Sequence, residues 1–471
     1  MRRRVLTTFV LLIALVAGLM GLVPGPARAA VPDPVPDPVV TGPIGTAGIH
    51  GHALFDSWYD LGREGYEDAE YFVSGTARSL AVPTTTAPYT TRIVVTRPKD
   101  EARFNGTVLL DWVNVTAQFE NAVDSVLAHQ MLLREGFAIV AVSAQSAGIC
   151  CTPLTPKVWD PVRYASLSHP GDDYAYDIFS QVAEAVRSPG AVAPLGSLPV
   201  KRVLAAGQSQ SASKLDTYVR QVQPSAQVID GFLIHGGGSK IWDPAPSVPV
   251  LQLFSDREAS PQRPNTLENY RLWEVAGSSH ADFWIGYHQE MGQGPRTVAD
   301  APRRPASDAD AVDAVAGNYG EQVHPLQTVC IAAGALFPMR YATAAALHHL
   351  DQWVRGNGAP PVAPPYAFDA TGSLAKDQWG NAMGGIRLPP IDNPVARYQS
   401  TTCNLGGVTV PLTEPEIAQL YPTHADYYAR MVAATNDSVA AGFLLPEDAA
   451  DLLTRACAAK NRWPGDPGAD C

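Results

Sequence analysis

Short apolar runs alternate with segments of helical period along most of this chain, and that alternation limits the fold more than any other feature. Residues 91–97, 107–112, 137–142, 200–206, 228–234, 248–254 and 271–275 read as strands. Most are apolar throughout instead of alternating with polar residues, the pattern of strands buried on both faces. Between them, residues 122–134 place Val123, Val126, Leu127 and Met131 at helical spacing before Gly136. Residues 176–186, 211–222 and 342–355 also read as helices, the last ended by Gly356 and Gly358. Strands joined by crossover helices predict an α/β domain with a mostly parallel, doubly wound sheet flanked by helices. The α/β domain so patterned runs from roughly residue 70 to 358, and the catalytic domain is expected over 65–358. A weakly patterned Ala/Asp/Pro/Gly-rich stretch, about 284–325, is expected to be an insertion. Residues 359–471 are expected as a C-terminal extension, with helices over 414–420, 425–441 and 446–458.

The N-terminus belongs to transport and not to the fold. Arg2, Arg3 and Arg4 precede an uncharged run over residues 5–23, broken by Pro24 and Gly25. Ala27-Arg28-Ala29 then supplies a small-x-small cleavage pattern, so residues 1–29 read as a secretory signal peptide cut before Ala30. The run also approaches the length of a membrane anchor. The arginines fit a twin-arginine signal as well as general export. The expectation is a secreted, extracellular chain without stable membrane insertion after cleavage. Residues 30–64 follow as a Pro-rich linker and N-terminal segment.

Composition removes several function classes. Apolar residues make up 46% of the chain, which rules out wholesale disorder. The net charge is −12 with no basic block, so nucleic acid is not an expected partner. Six cysteines, Cys150, Cys151, Cys330, Cys403, Cys457 and Cys471, lie beyond the signal segment. An exported chain meets an oxidising compartment, so disulfides are expected. Cys457 with Cys471 is the first pairing expected and Cys330 with Cys403 the second. Cys150 and Cys151 are adjacent and are not expected to pair with each other. No C-x-x-C pair marks a zinc ribbon.

The sharpest chemical signal is Gly207-Gln208-Ser209-Gln210-Ser211, where an apolar strand runs straight into a helix. A serine at such a turn projects its hydroxyl above the sheet edge and over a helix N-terminus, where developing negative charge is favoured. The strand and helix pass close together, so small residues are needed two places to either side. Gly207 and Ser211 meet that need, with Ser where Gly is usual. A nucleophilic serine needs a base and an orienting acid. Asp256 and Glu258 follow the strand ending near Phe254, and His280 follows the next strand. Glu258 is the preferred acid by its distance along the loop, and Asp256 is the alternative. Asp282 lies too near His280 in sequence to orient it comfortably and reads as a turn or pocket residue. The backbone amides of Gln210 and of Val115 or Asn114 are the expected oxyanion donors. His235-Gly236-Gly237-Gly238 looks like an oxyanion motif but follows the nucleophile, and reads as a flexible pocket edge. His348 and His349 read as core or surface histidines, and no metal site or cofactor is implied. Trp284, Tyr287 and His288 are candidates for either pocket lining or packing.

These stretches, in this order, resemble the α/β-hydrolase superfamily. More narrowly the chain is similar to bacterial, often exported, "α/β hydrolase domain" proteins related to carboxylesterases. The resemblance is carried by Thr91-Arg92-Ile93-Val94-Val95, Asp111-Trp112-Val113-Asn114-Val115-Thr116, and Val142-Ser143-Ala144-Gln145. His169-Pro170-Gly171-Asp172-Asp173-Tyr174, the turn at Ser209, and Trp273-Glu274-Val275-Ala276-Gly277 with His280 continue it. It implies the α/β-hydrolase fold over about residues 65–460, although Asp111 stands where relatives usually carry Glu. The expected chemistry is serine hydrolysis of a small-molecule or polymer-borne ester. An acyltransferase with the same triad and a non-catalytic binding protein on the same scaffold are the alternatives.

Overall fold

The computed structural model describes residues 34–57, 59–285, 335–469 and 471. The signal-like segment, most of the insertion, Tyr287, His288 and Cys330 lie outside these residues. The first nine strands are β1 (Val39–Thr41), β2 (Tyr66–Arg78), β3 (Thr86–Pro98), β4 (Thr107–Trp112), β5 (Ala138–Val142), β6 (Arg202–Gln208), β7 (Gly231–His235), β8 (Val250–Phe254) and β9 (Tyr270–Glu274). They form one sheet in the order β1-β2-β3-β5-β4-β6-β7-β8-β9. From β5 to β9 every neighbouring pair is parallel. The β1–β2–β3 edge is antiparallel, and β3 joins β5 antiparallel. The predicted mostly parallel sheet is therefore present, with an added antiparallel edge. That edge draws Val39–Thr41 out of the Pro-rich segment and into the sheet.

Period-two alternation of side chains divides the interior into two layers. Leu109, Ile139, Leu204, Leu233 and Leu251 point into one core. Their strand neighbours Val108, Val140, Val203, Phe232 and Val250 point into the other. Four long helices cover the sheet: α1 (Val123–Arg134), α2 (Ala175–Arg187), α3 (Gln210–Gln221) and α4 (Met339–Val354). Residues of α1 and α4 bury in the first core and those of α2 and α3 in the second. The helices after the neighbouring strands β4 and β6, α1 and α3, thus leave to opposite faces, and a crevice opens at the carboxyl ends of these two strands, where α/β sheets bind ligands.

The chain after residue 358 does not stand apart. Ile386, Ile391, Tyr398, Ile417, Met431, Leu452 and Trp463 bury in the same core as Leu204 and Trp273. This region contains a hairpin of β10 (Ala396–Gln399) and β11 (Val408–Pro411), then α5 (Glu414–Leu420), α6 (His424–Ala440) and α7 (Pro446–Ala458). Thr413 with Glu416 and Thr423 with Asp426 form capping boxes at the starts of α5 and α6. Pro446 opens α7, where its missing N–H costs nothing.

Cys457 and Cys471 are paired, with Cα atoms 6.3 Å apart. The expectation for Cys150 and Cys151 is corrected, because their sulfurs are paired with each other. Cys151 has φ 93°, a left-handed backbone that lets adjacent side chains turn toward one another. The expected Cys330–Cys403 bridge falls outside the described residues, as Cys330 does. Among the described residues no helix is long and apolar enough to cross a membrane.

The antiparallel edge is tied down by a buried charge network. Arg92 of β3 is 2% exposed and donates to Glu70 of β2 and to Glu120, each at 2.8 Å. Glu70 also accepts from Arg163 Nε at 2.6 Å and from the Tyr164 hydroxyl at 2.8 Å. Removing one member of such a network leaves buried charge without a partner. Arg92→Ala should therefore destabilise the fold by about 3–5 kcal/mol, measured as a shift in the urea unfolding midpoint. A loss below about 1 kcal/mol, the range of an exposed ion pair, would contradict this account of the edge.

Candidate active site

Ser209 occupies the turn between β6 and α3, and its backbone is left-handed with φ 62° and ψ −113°. A side chain other than glycine's pays a strain of about 1–3 kcal/mol there, so the surroundings must enforce the conformation. The Ser209 N–H donates to the His235 carbonyl at 2.8 Å, fixing the turn to the end of β7. A Cβ on Gly207 would come within 3.0 Å of Ser211 Cβ and 3.1 Å of Leu215, the close strand–helix approach that the motif implies.

His280 follows β9, 8% exposed, and its Nε2 lies 2.7 Å from Ser209 Oγ. Its Nδ1 lies 2.6 Å from Glu258 Oε1. Glu258 Oε2 in turn accepts from the Ser255 amide at 2.9 Å and the Ser255 hydroxyl at 2.7 Å. Ser255 and Glu258 form a capping box on the short turn Asp256–Glu258. One oxygen of the carboxylate is thus held by the turn while the other faces the imidazole. Burial pushes the Glu258 carboxyl up. The His280 hydrogen bond, the imidazole's charge and both Ser255 donors outweigh it, leaving the group below the usual range and ionised.

Asp256 is not brought to His280. It is 3% exposed and accepts from the Gly277 amide at 3.0 Å and the Tyr366 hydroxyl at 3.0 Å. Ser400 Oγ also donates to it, and Lys376 Nζ lies 3.5 Å away. Its partners thus come from the β9 loop and from the region after residue 358. Asp256 fastens that region beneath the loop that carries His280. Ala281 N reinforces the contact by donating to the Leu405 carbonyl at 3.0 Å.

The oxyanion expectation is corrected for Asn114. Its amide N–H is spent on the Asn121 carbonyl at 2.8 Å, so it is not free to bind a substrate oxygen. Its side chain is a clamp instead. Nδ2 donates to the Gln208 carbonyl at 2.9 Å and Oδ1 accepts from the Thr116 amide at 2.9 Å. This joins the loop after β4 to the turn that carries Ser209. The Gln210 side chain donates to Gln145 Oε1 at 2.9 Å, an oxygen that Trp112 Nε1 also reaches at 3.1 Å. Gln208 Nε2 donates to the His280 carbonyl at 2.8 Å, a contact that nothing in the sequence pattern signals.

The remaining candidates take structural positions. The glycines after His235 are required by close approach: a Cβ on Gly236 would lie 3.2 Å from the His280 ring, and one on Gly237 2.9 Å from the Ser209 carbonyl. Gly236 also lines the cleft beside Ser209, the pocket-edge position expected of it. Asp282 is buried, and burial pushes its carboxyl up to about 7. Trp284 is buried with Arg340 over its ring at 4.3 Å. His348 Nδ1 bonds Glu135 at 2.8 Å, and His349 Nε2 bonds the Gly442 carbonyl at 2.8 Å. Among the described residues no group of three or more His, Cys, Asp or Glu converges to hold a metal ion.

Beneath the crevice, Asp111 at the end of β4 accepts from the Ser125 amide at 2.8 Å and the Ser125 hydroxyl at 2.6 Å. Burial pushes its carboxyl up to about 8, and the neighbouring Asp124 carboxylate adds to the rise against the Ser125 donors. A carboxyl raised in the folded state stabilises the fold fully below its unfolded value, and that contribution is lost as pH rises through the folded value. Wild-type stability should therefore decline between about pH 4 and pH 8. Asp111→Asn keeps the acceptor for Ser125 and should flatten that decline in urea titrations. An unchanged slope would show that Asp111 is ionised throughout.

The family described as "Alpha/beta hydrolase domain" matches residues 40–454. No curated protein matches the sequence. Among solved structures, the chain is similar to an α/β serine hydrolase without a lid from Xanthomonas campestris, at 16% identity and a TM-score of 0.28, over 50% of this chain and 96% of that one. An α/β serine hydrolase homologue from Coxiella burnetii aligns at 11% identity and a TM-score of 0.28, over 47% and 94%. Est1E from Butyrivibrio proteoclasticus aligns at 10% identity and a TM-score of 0.26, over 46% and 96%. With the family match spanning nearly all of the described residues, this chain belongs to the alpha/beta hydrolase domain family.

Proposed function

We propose that the protein is an exported serine hydrolase that cleaves carboxylic esters through an acyl-enzyme. The observation that carries this reading is the unbroken hydrogen-bonded path from Ser209 Oγ through His280 to Glu258. Ser209 Oγ attacks the ester carbonyl carbon while His280 Nε2 takes its proton, and Glu258 holds the opposite ring nitrogen and balances the imidazolium. The developing oxyanion is received by the backbone amides of Gln210 and Val115. Gln210 sits at the N-terminus of α3, where the helix dipole favours negative charge. Collapse expels the alcohol with the proton from His280, and water then repeats the sequence to release the acid.

A cleft beside Ser209 and Gln210 is lined by Thr116, Tyr176, Ser213, Lys214, Thr217 and Gly236. Its hydroxyl- and amine-bearing wall favours water as acceptor and small soluble esters as substrates. The triad supplies nucleophile and base, so the reaction calls for no cofactor. The signal-like segment and the paired Cys457 and Cys471 support export to an oxidising compartment.

Hydrolysis of p-nitrophenyl esters from acetate to palmitate tests the reading. Wild type should turn over the shorter esters, and Ser209→Ala should abolish turnover. Glu258→Gln should lower kcat by about 10⁴-fold, the scale for loss of an orienting carboxylate. Asp256→Asn should stay within about tenfold of wild type because it lacks contact with the imidazole. Wild type inactive on every ester, or Asp256→Asn as damaging as Glu258→Gln, would contradict the assignment.

A further inference from the structure

The triad does not use the most deeply buried hydrogen-bonded pair near it. Asp124, in the first turn of α1, and His235, the last residue of β7, are 0% and 2% exposed, with Oδ1 and Nδ1 2.8 Å apart. They belong to different layers, a covering helix and the sheet. The backbone of His235 and Gly236 meets the backbone of Ser209 on one side and the ring of His280 on the other. The His235 carbonyl accepts the Ser209 N–H at 2.8 Å. At Gly236, where φ is 66°, a Cβ would lie 3.2 Å from His280 Cε1 and 3.3 Å from Nδ1, so the imidazole lies directly against that residue. The next residue, Gly237, touches the Ser209 carbonyl in the same way, at 2.9 Å from its would-be Cβ. The base of the pair is itself anchored. Ser125, beside Asp124, donates its amide and hydroxyl to Asp111 on β4. β4 also leads into the loop whose Asn114 holds the Gln208 carbonyl.

We propose that Asp124 and His235 are positioning residues for this site: their bond ties α1 to the His235–Gly236 peptide and so sets the distance between Ser209 and His280. The proposal rests on the serine-hydrolase reading above. It gives a reason for an otherwise costly feature, since a buried carboxylate is worth keeping where its bond holds a geometry. Among the described residues the Asp124 Oδ2 oxygen has no hydrogen-bond partner, so the bond through Oδ1 is the contact that orients this carboxylate. Loss of the bond leaves nucleophile, base and acid all present but lets the floor under two of them shift. A displacement of about 1 Å can cost about 100-fold in rate.

The test compares wild type, Asp124→Ala, Asp124→Asn and the double variant Asp124→Leu/His235→Phe. Each is assayed on p-nitrophenyl butyrate, with active sites counted by fluorophosphonate labelling and thermal midpoints recorded. Asp124→Ala and the double variant should lose about 10- to 100-fold in kcat per labelled site with KM little changed. Asp124→Asn keeps an acceptor for the His235 ring and should recover most of that loss. The double variant guards against misfolding, because replacing both polar partners by apolar groups leaves neither one buried and unpaired. A double variant with wild-type midpoint and wild-type kcat overturns the proposal. So does Asp124→Asn falling as far as Asp124→Ala. Wild type that neither turns over ester nor labels overturns the serine-hydrolase reading and the proposal together. Wild type that is active while the variants keep its kcat overturns the proposal alone.

Discussion

A left-handed serine between a strand and a helix is the constraint from which the rest of the site follows. At φ 62° Ser209 cannot relax into an ordinary helix cap without withdrawing its hydroxyl from the crevice. The surroundings accordingly leave it little freedom. Gly207, Ser211 and Gly237 are small because strand, helix and neighbouring loop converge there. The Ser209 amide is held by His235, and the carbonyl before it by Asn114. The strained residue is thus gripped from β7 and from the loop after β4.

Two acids in one short turn illustrate how environment divides chemistry. Asp256 and Glu258 are two residues apart, yet they face different partners. Glu258 is folded back by Ser255 so that its free oxygen meets His280. Asp256 turns inward to Tyr366, Ser400 and the Gly277 amide. Burial dominates at Asp256 and raises its carboxyl, whereas at Glu258 the hydrogen bonds overcome burial and lower it. The region after residue 358 therefore contributes to the site indirectly, by fixing the loop from which His280 projects.

Much of this was legible in the sequence, for identifiable reasons. The parallel strands are continuous apolar runs and the helices have clear period and stops, so β4, α5 and α7 carry the expected boundaries. Ser209 and His280 are readable because each sits directly after a strand. Glu258 had a stronger signal than spacing alone: Ser255 with Glu258 three residues on is a capping box, which holds the carboxylate at the turn. The long strand β2 was not legible, because its sequence, Tyr66 to Arg78, mixes charged and apolar residues around the buried Glu70. Its charge is satisfied by Arg92, Arg163 and the Tyr164 hydroxyl, all from elsewhere in the chain. The Asn114 clamp and the Asp124–His235 bond escaped for the same reason, as each joins residues about a hundred positions apart. The core shared by the C-terminal region is likewise a tertiary property that composition does not reveal.

The central claim is that Ser209, His280 and Glu258 form one reactive unit facing an oxyanion site made by Gln210 and Val115. A crystal structure of the protein after reaction with a fluorophosphonate tests it most directly. The account predicts phosphorus bonded to Ser209 Oγ, with the phosphoryl oxygen about 2.7–3.1 Å from both backbone amides and His280 still bonded to Glu258. Phosphorus on another residue, or a phosphoryl oxygen that meets neither amide, would contradict it.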